Sequence, residues 1–225
     1  MIELDDIVRR LVDTLKETGQ AEDTLIFISS DNGPHMETWP DAAFTPFRCS
    51  KGSTWEGGVR VCTLAWWPGK IPAGTATAAM TAMMDVLPTF AALAGAKLPA
   101  DRKLDGVDVW PVLAGDPAPP PRDTFHFYRG LQLEAVRSGP WKLHLASGEL
   151  FNLNDDLGEK TDLAAQRPEE VKRLRALAET MRGDLGLEGV GPGCRPLGRV
   201  ANPQPLLAND GTVRADAVGQ AAKLP

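Results

Sequence analysis

The chain has 225 residues, 43% hydrophobic and 24% charged, with a formal net charge of -6. This is too apolar for disorder throughout and long enough for one domain plus a small appendage, and the acidic balance argues against a nucleic-acid backbone as partner. No apolar run approaches membrane-spanning length, and cysteines at 49, 62 and 194 offer neither a disulfide framework nor a CxxC metal spacing.

Leu4, Ile7, Val8, Leu11 and Leu15 recur at helical spacing, and Gly19 follows where a left-handed cap belongs. This acidic amphipathic start lacks the basic and apolar regions of a signal peptide, so none is expected in these residues and the compartment stays open. Residues 24–30 lack alternation around the apolar Leu25-Ile26-Phe27-Ile28, the pattern of a strand buried on both faces of a parallel sheet, and such sheets bind ligands at the carboxyl ends of their strands. The run ends in Asp31-Asn32-Gly33. Residues 33–58, with Pro34, Pro40, Pro46 and several glycines, read as a long functional loop.

A second strand is expected over 59–67. Asp85 opens an alanine-rich helix with Pro88 in its first turn and Gly95 beyond its end, and 110–113 form a helical turn before Gly115. The proline run 116–121 is a stiff linker. Beyond it, 124–129, 132–137, 141–145 and 149–153 are short strands separated by glycine turns, an antiparallel meander. Residues 168–181 make an amphipathic helix with Val171, Leu174, Leu177, Ala178 and Met181 inward, and from Gly183 the chain reads as irregular. The expected organisation is therefore 1–116, a small sheet-and-helix subdomain over 122–183, and a tail over 184–225.

Two stretches carry chemistry. Asp31 and Asn32 supply a carboxylate and a carboxamide, the hard oxygen donors that calcium and magnesium take. Lys51, in Cys49-Ser50-Lys51-Gly52-Ser53-Thr54-Trp55-Glu56-Gly57-Gly58, offers a cation where glycines let backbone approach closely. Together they describe a metal-plus-ammonium clamp for a tetrahedral oxyanion. Asp-Asn-Gly by itself is a common turn, and a lone lysine is usually solvated; their pairing after a buried strand gives them weight. His35, four residues past Asp31, is a weaker candidate for substrate contact. His126 and His144 read as packed or half-exposed strand residues, Trp55, Trp66, Trp67, Trp110 and Trp141 as core anchors, and Glu56, Asp105 and Asp108 as capping or turn residues.

These motifs resemble the sulfatase family of the alkaline-phosphatase-like superfamily, and the likeness extends through Trp66-Trp67-Pro68-Gly69, Asp85-Val86-Leu87-Pro88-Thr89 and Leu104-Asp105-Gly106 to Glu149-Leu150-Phe151-Asn152-Leu153. The resemblance implies an α/β fold, here part of an alkaline-phosphatase-like sheet with helices, joined by a small C-terminal antiparallel sheet and helix. It implies sulfate ester hydrolysis, with Asp31 and Asn32 as ligands of a divalent metal, calcium before magnesium, and Lys51 as a catalytic residue holding the sulfate. The family's formylglycine nucleophile arises from a C/S-x-P-x-R motif. Cys194-Arg195-Pro196-Leu197-Gly198 and Ser138-Gly139-Pro140-Trp141-Lys142 both miss the final arginine, so no formylglycine site is encoded in these residues.

The chain thus resembles the C-terminal part of a sulfatase. Its expected partner is a sulfate ester or sulfated sugar, and because two or three parallel strands do not cover their own apolar faces, either an N-terminal half is supplied in trans or the chain is a truncated remnant of marginal stability. Weak metal affinity is expected for the chain by itself. A phosphoester or phosphonate hydrolase of the same superfamily, or an inactive interaction module, stands as the alternative. Two departures from the family pattern stand out: Cys49 replaces a common glycine and Cys62 a common proline.

Overall fold

The computed structural model describes residues 2–36, 44–186, 190–194 and 212. Helix α1 (Ile2–Glu17) has acidic residues in its first turn and Lys16 in its last, matching the helix dipole, and Gly19 follows at φ 71°. No α1 residue is buried, so its apolar stripe, with Leu4, Ile7 and Leu11 about half exposed, is uncovered.

Strands β1 (Ile26–Ser29) and β2 (Thr63–Trp66) form a two-stranded sheet in the register Ile26↔Trp66 to Ser29↔Thr63, with Ser29 and Thr63 hydroxyls 2.8 Å apart. The pairing is antiparallel, which corrects the parallel arrangement expected from the apolar run. Unbroken apolarity reports burial on two faces and carries no information about strand direction. The burial is also partial: Ile26 is buried and the rest of β1 is half-buried.

Between the strands lies one helical turn, α2 (Glu56–Val59), whose first three residues are buried. After β2, a 3-10 turn at Met83–Asp85 runs into α3 (Val86–Leu93), with Pro88 in its first turn and Gly95 beyond it at φ 66°. Asp85 is 1% exposed and fully partnered: its carboxylate accepts the Ala82 and Val107 amides and pairs with the Arg122 guanidinium. It thereby ties the start of α3 to the segment leading into the short helix α4 (Trp110–Leu113), where Asp108 accepts the Trp110 amide as a local cap.

The remaining strands, β3 (Thr124–Arg129), β4 (Gln132–Ser138), β5 (Trp141–His144) and β6 (Leu150–Asn152), form the expected antiparallel meander in sequential order. Helix α5 (Pro168–Leu185) runs through Gly183, four residues past the expected end, and packs on one face of that sheet. Leu133, Val136, Leu143, Leu150, Leu174 and Ala178 are buried there, with Val171, Leu177 and Met181 partly buried around them. Most of the stretch read as an irregular tail lies outside the described residues, as does Pro40 of the long loop.

Strand alternation sends Lys142 and His144 to the sheet face opposite Leu143. All three are buried, so β5 is covered on both sides. The second cover is the lysine-bearing loop.

Candidate anion and metal site

Asp31, Asn32 and Gly33 follow β1 after Ser30, and the lysine loop is laced to that turn by backbone. The Gly33 N–H donates to the Gly58 carbonyl at 3.0 Å and the Lys51 N–H to the Pro34 carbonyl at 3.0 Å. The approach requires glycine at two points. A Cβ on Gly33 would lie 1.8 Å from the Gly57 oxygen, and one on Gly57 would lie 2.2 Å from the Cys49 oxygen and 2.4 Å from that of Arg48. The Gly57 N–H also donates to the Arg48 carbonyl at 2.8 Å, closing the loop on itself.

Cys49 has φ 62°, the left-handed region that glycine adopts freely. The glycine expected there on family grounds thus has a conformational basis, which Cys49 meets with some strain.

The side chains of the expected site stand as follows. Asp31 and Lys51 are exposed, and Asn32 and His35 are half-buried. Asn32 donates through Nδ2 to Asp31 Oδ1, which leaves the carboxamide oxygen directed elsewhere. His35 follows Pro34, whose carbonyl receives Lys51, so it borders the junction of the two motifs. The junction is made by main chain: no ion pair joins Lys51 to Asp31 among the described residues.

As metal donors, Asp31 and Asn32 fit in kind and fall short in number. Calcium takes about six to eight oxygens, and among the described residues no group of three or more His, Cys, Asp or Glu side chains is placed to hold an ion. The pair supplies a share of a coordination shell.

Behind the loop lies a buried ionic cluster that reading the sequence missed. Glu56, assigned only a capping or turn role, is 2% exposed, and its carboxylate pairs with Lys142 at 2.9 Å and Arg60 at 3.2 Å. Lys142, fully buried, also pairs with Glu159 at 2.9 Å. Glu159 accepts the Glu56 amide at 2.7 Å and lies 3.2 Å from His144 Nε2. Burial pushes the Glu159 carboxyl up, and the His144 hydrogen bond, the Lys142 charge and the Glu56 amide together outweigh it, holding it below the usual glutamate range.

Trp55 stacks on His144 with ring centroids 3.6 Å apart, and the Arg48 guanidinium lies over the Trp55 ring at 3.6 Å from a ring centroid. Trp55 and His144 are accordingly packed residues, as expected. The one signal that pointed toward this cluster was a lysine and a histidine two apart in a strand, on the face away from the leucines. Their partners, 15 to 86 positions away in sequence, left no trace.

Residues 1–96 match the family model described as Sulfatase. The chain is 39% identical over 146 residues to N-acetylgalactosamine-6-sulfatase of Mus musculus, covering 64% of this chain and 28% of that protein. It is 43% identical over 150 residues to arylsulfatase A of Bos taurus, covering 64% of this chain and 29% of that protein. A crystal structure of a sulfatase from Pseudoalteromonas sp. superposes with a TM-score of 0.74 at 31% identity, over 80% of this chain and 41% of that one. A likeness over four-fifths of the chain cannot be confined to residues 1–96, so it reaches into the C-terminal sheet. The chain spans well under half the length of these relatives.

Proposed function

We propose, for a chain whose residues 1–96 match the sulfatase family model, that it forms the metal-and-ammonium side of a sulfuric ester hydrolase site. The observation that carries this reading is the double backbone tie, Gly33 to Gly58 and Lys51 to Pro34, which brings the Asp31-Asn32 turn and the Lys51 loop side by side.

In this reading the Lys51 ammonium contacts the sulfate group and neutralises an oxygen on which charge grows as the sulfur–oxygen ester bond breaks. An interaction stronger in the transition state than in the bound ester is what accelerates the step. Asp31 and Asn32 hold part of the shell of a divalent cation, calcium before magnesium, and that cation, when bound, polarises the sulfate oxygens. His35 borders the bound group. The nucleophile and the remaining metal ligands come from the part of a complete sulfatase that these residues do not represent, acting in trans or in a longer chain. The substrate class is a sulfate ester, a small aryl sulfate or a sulfated sugar. Residues 1–116 then carry the site, and 122–183 support it from behind.

The test is reconstitution with an N-terminal sulfatase half. Hydrolysis of an aryl sulfate is expected, and Lys51→Ala should lower its kcat on the order of a hundredfold or more, as losing one stabilising donor does elsewhere. Calorimetry on the chain alone should give calcium binding weaker than micromolar, because two donor side chains leave most of the shell unfilled. Unchanged turnover in Lys51→Ala would overturn the assignment of the lysine. Hydrolysis of aryl phosphate with aryl sulfate untouched would move the chemistry to phosphoesters.

A further inference from the structure

Apart from Trp55, which packs on His144 and Phe151, the lysine loop has little apolar to hold it in register. Its buried residues are Ser50, Thr54, Glu56, Gly57 and Gly58, and among the described residues none of 44–60 belongs to the apolar core. The rest of its seat on the C-terminal sheet is polar. Thr54 donates to Glu134 at 2.9 Å, Arg48 donates to the Glu159 carbonyl at 2.9 Å, and Glu56 is gripped at both its carboxylate and its amide.

We propose that Lys142 and Glu159 are positioning residues for the anion loop: acting through Glu56, charges carried by the C-terminal sheet and the turn after it set where Lys51 stands beside Asp31 and Asn32. This rests on reading Lys51 as the anion contact. The path is short and continuous. Lys142 and Glu159 fix Glu56, the first residue of α2; α2 continues into Gly57 and Gly58; and the Gly58 carbonyl receives the Gly33 amide of the Asp-Asn-Gly turn.

A buried ion pair is poor evidence for stability, because well-packed apolar side chains in its place often hold a fold as well or better. Charged hydrogen bonds differ from apolar packing in being directional. A glycine-rich loop whose aromatic packing is confined to Trp55 needs direction elsewhere, since its backbone has many alternatives to leave behind. Glu159, the hub, also sits at φ 50° while fully buried, a conformation retained only where the surroundings over-determine it.

Site-resolved amide hydrogen exchange on the full chain tests this. Three variants are compared with the parent: Lys142→Met, the double change Lys142→Met with Glu56→Gln that leaves no unpaired charge on Glu56, and Arg48→Ala at a partly exposed side chain. The amides of Gly33, Lys51 and Gly57 should exchange faster on the order of tenfold, while those of β4, β5 and α5 keep the parent's rates. The double variant and Arg48→Ala decide the matter even where Lys142→Met fails to fold. Loop amides that keep the parent's rates, or that rise only together with those of β4 and β5, would overturn the proposal, because a purely structural cluster loosens the sheet first. Protection of Lys51 from acylation by inorganic sulfate, measured on the parent, reads the anion role separately. Loosened loop amides without sulfate protection would refute the anion reading and leave the positioning role standing.

Discussion

The two parts of the chain are built by different physics. Buried apolar side chains concentrate between Phe127 and Ala178, where β4, β5, β6 and α5 share one core; before the proline run the buried apolar side chains described are Ile26, Pro88 and Val109. The earlier part is held by polar contacts: Asp85 with Arg122, Thr89 with the Val109 amide, and the Glu56 cluster. It also leaves Ile7, Leu64, Leu87 and Phe90 exposed. Stability and chemistry are thereby separated. The C-terminal sheet supplies a rigid support, and the candidate site occupies a loop whose placement depends on hydrogen bonds and charges.

The contrast breaks most visibly in the core. Leu174, fully buried on α5, should cost about 2 to 5 kcal/mol on change to Ala, because its removal leaves a cavity that the sheet only partly fills. Denaturant unfolding measures this, and a loss below about 1 kcal/mol would mean that the helix does not anchor the sheet.

Acid should act on the seam between the parts. Glu159 faces Lys142 and His144 from β5 and the Glu56 amide from α2. Its folded pKa is depressed, so its contribution is complete above the unfolded value of about 4.3 and is lost as pH falls through the lower folded value. Glu159→Gln should therefore flatten the acid limb of the stability profile below about pH 4.3, in addition to weakening the protein at neutral pH. An unchanged acid limb would contradict this.

Smaller changes sharpen the comparison. Cys49→Gly relieves a left-handed cost of about 1 to 2 kcal/mol and adds unfolded-state entropy that offsets much of it, so a net gain under about 1 kcal/mol is expected in thermal unfolding. Leu11→Ser on α1 should shift stability by less than about 0.5 kcal/mol, since the side chain is 48% exposed. A larger loss would reveal that α1 is covered in solution.

Much of the architecture was legible from local pattern. Helical spacing located α1 and α5, Gly19, Gly95 and Gly115 closed their helices at positive φ, and glycine turns divided the meander into the strands observed. These signals are local because helix periodicity, capping and tight turns are decided within a few residues. The direction of β1 against β2 was not legible, since an apolar run reads the same in either sense.

What the sequence by itself determined is the donor chemistry: two oxygen-bearing side chains after a strand, one amine among glycines, and a family pattern around them. What the tertiary structure decided is how those groups meet. Lys142 and Glu159 hold a loop residue, Glu56, that lies 86 and 103 positions before them, because strand alternation turns Lys142 away from the leucine core and burial then demands a charged partner. Long-range pairing of that kind depends on which surfaces fold against each other, and a linear pattern records only which residues are available.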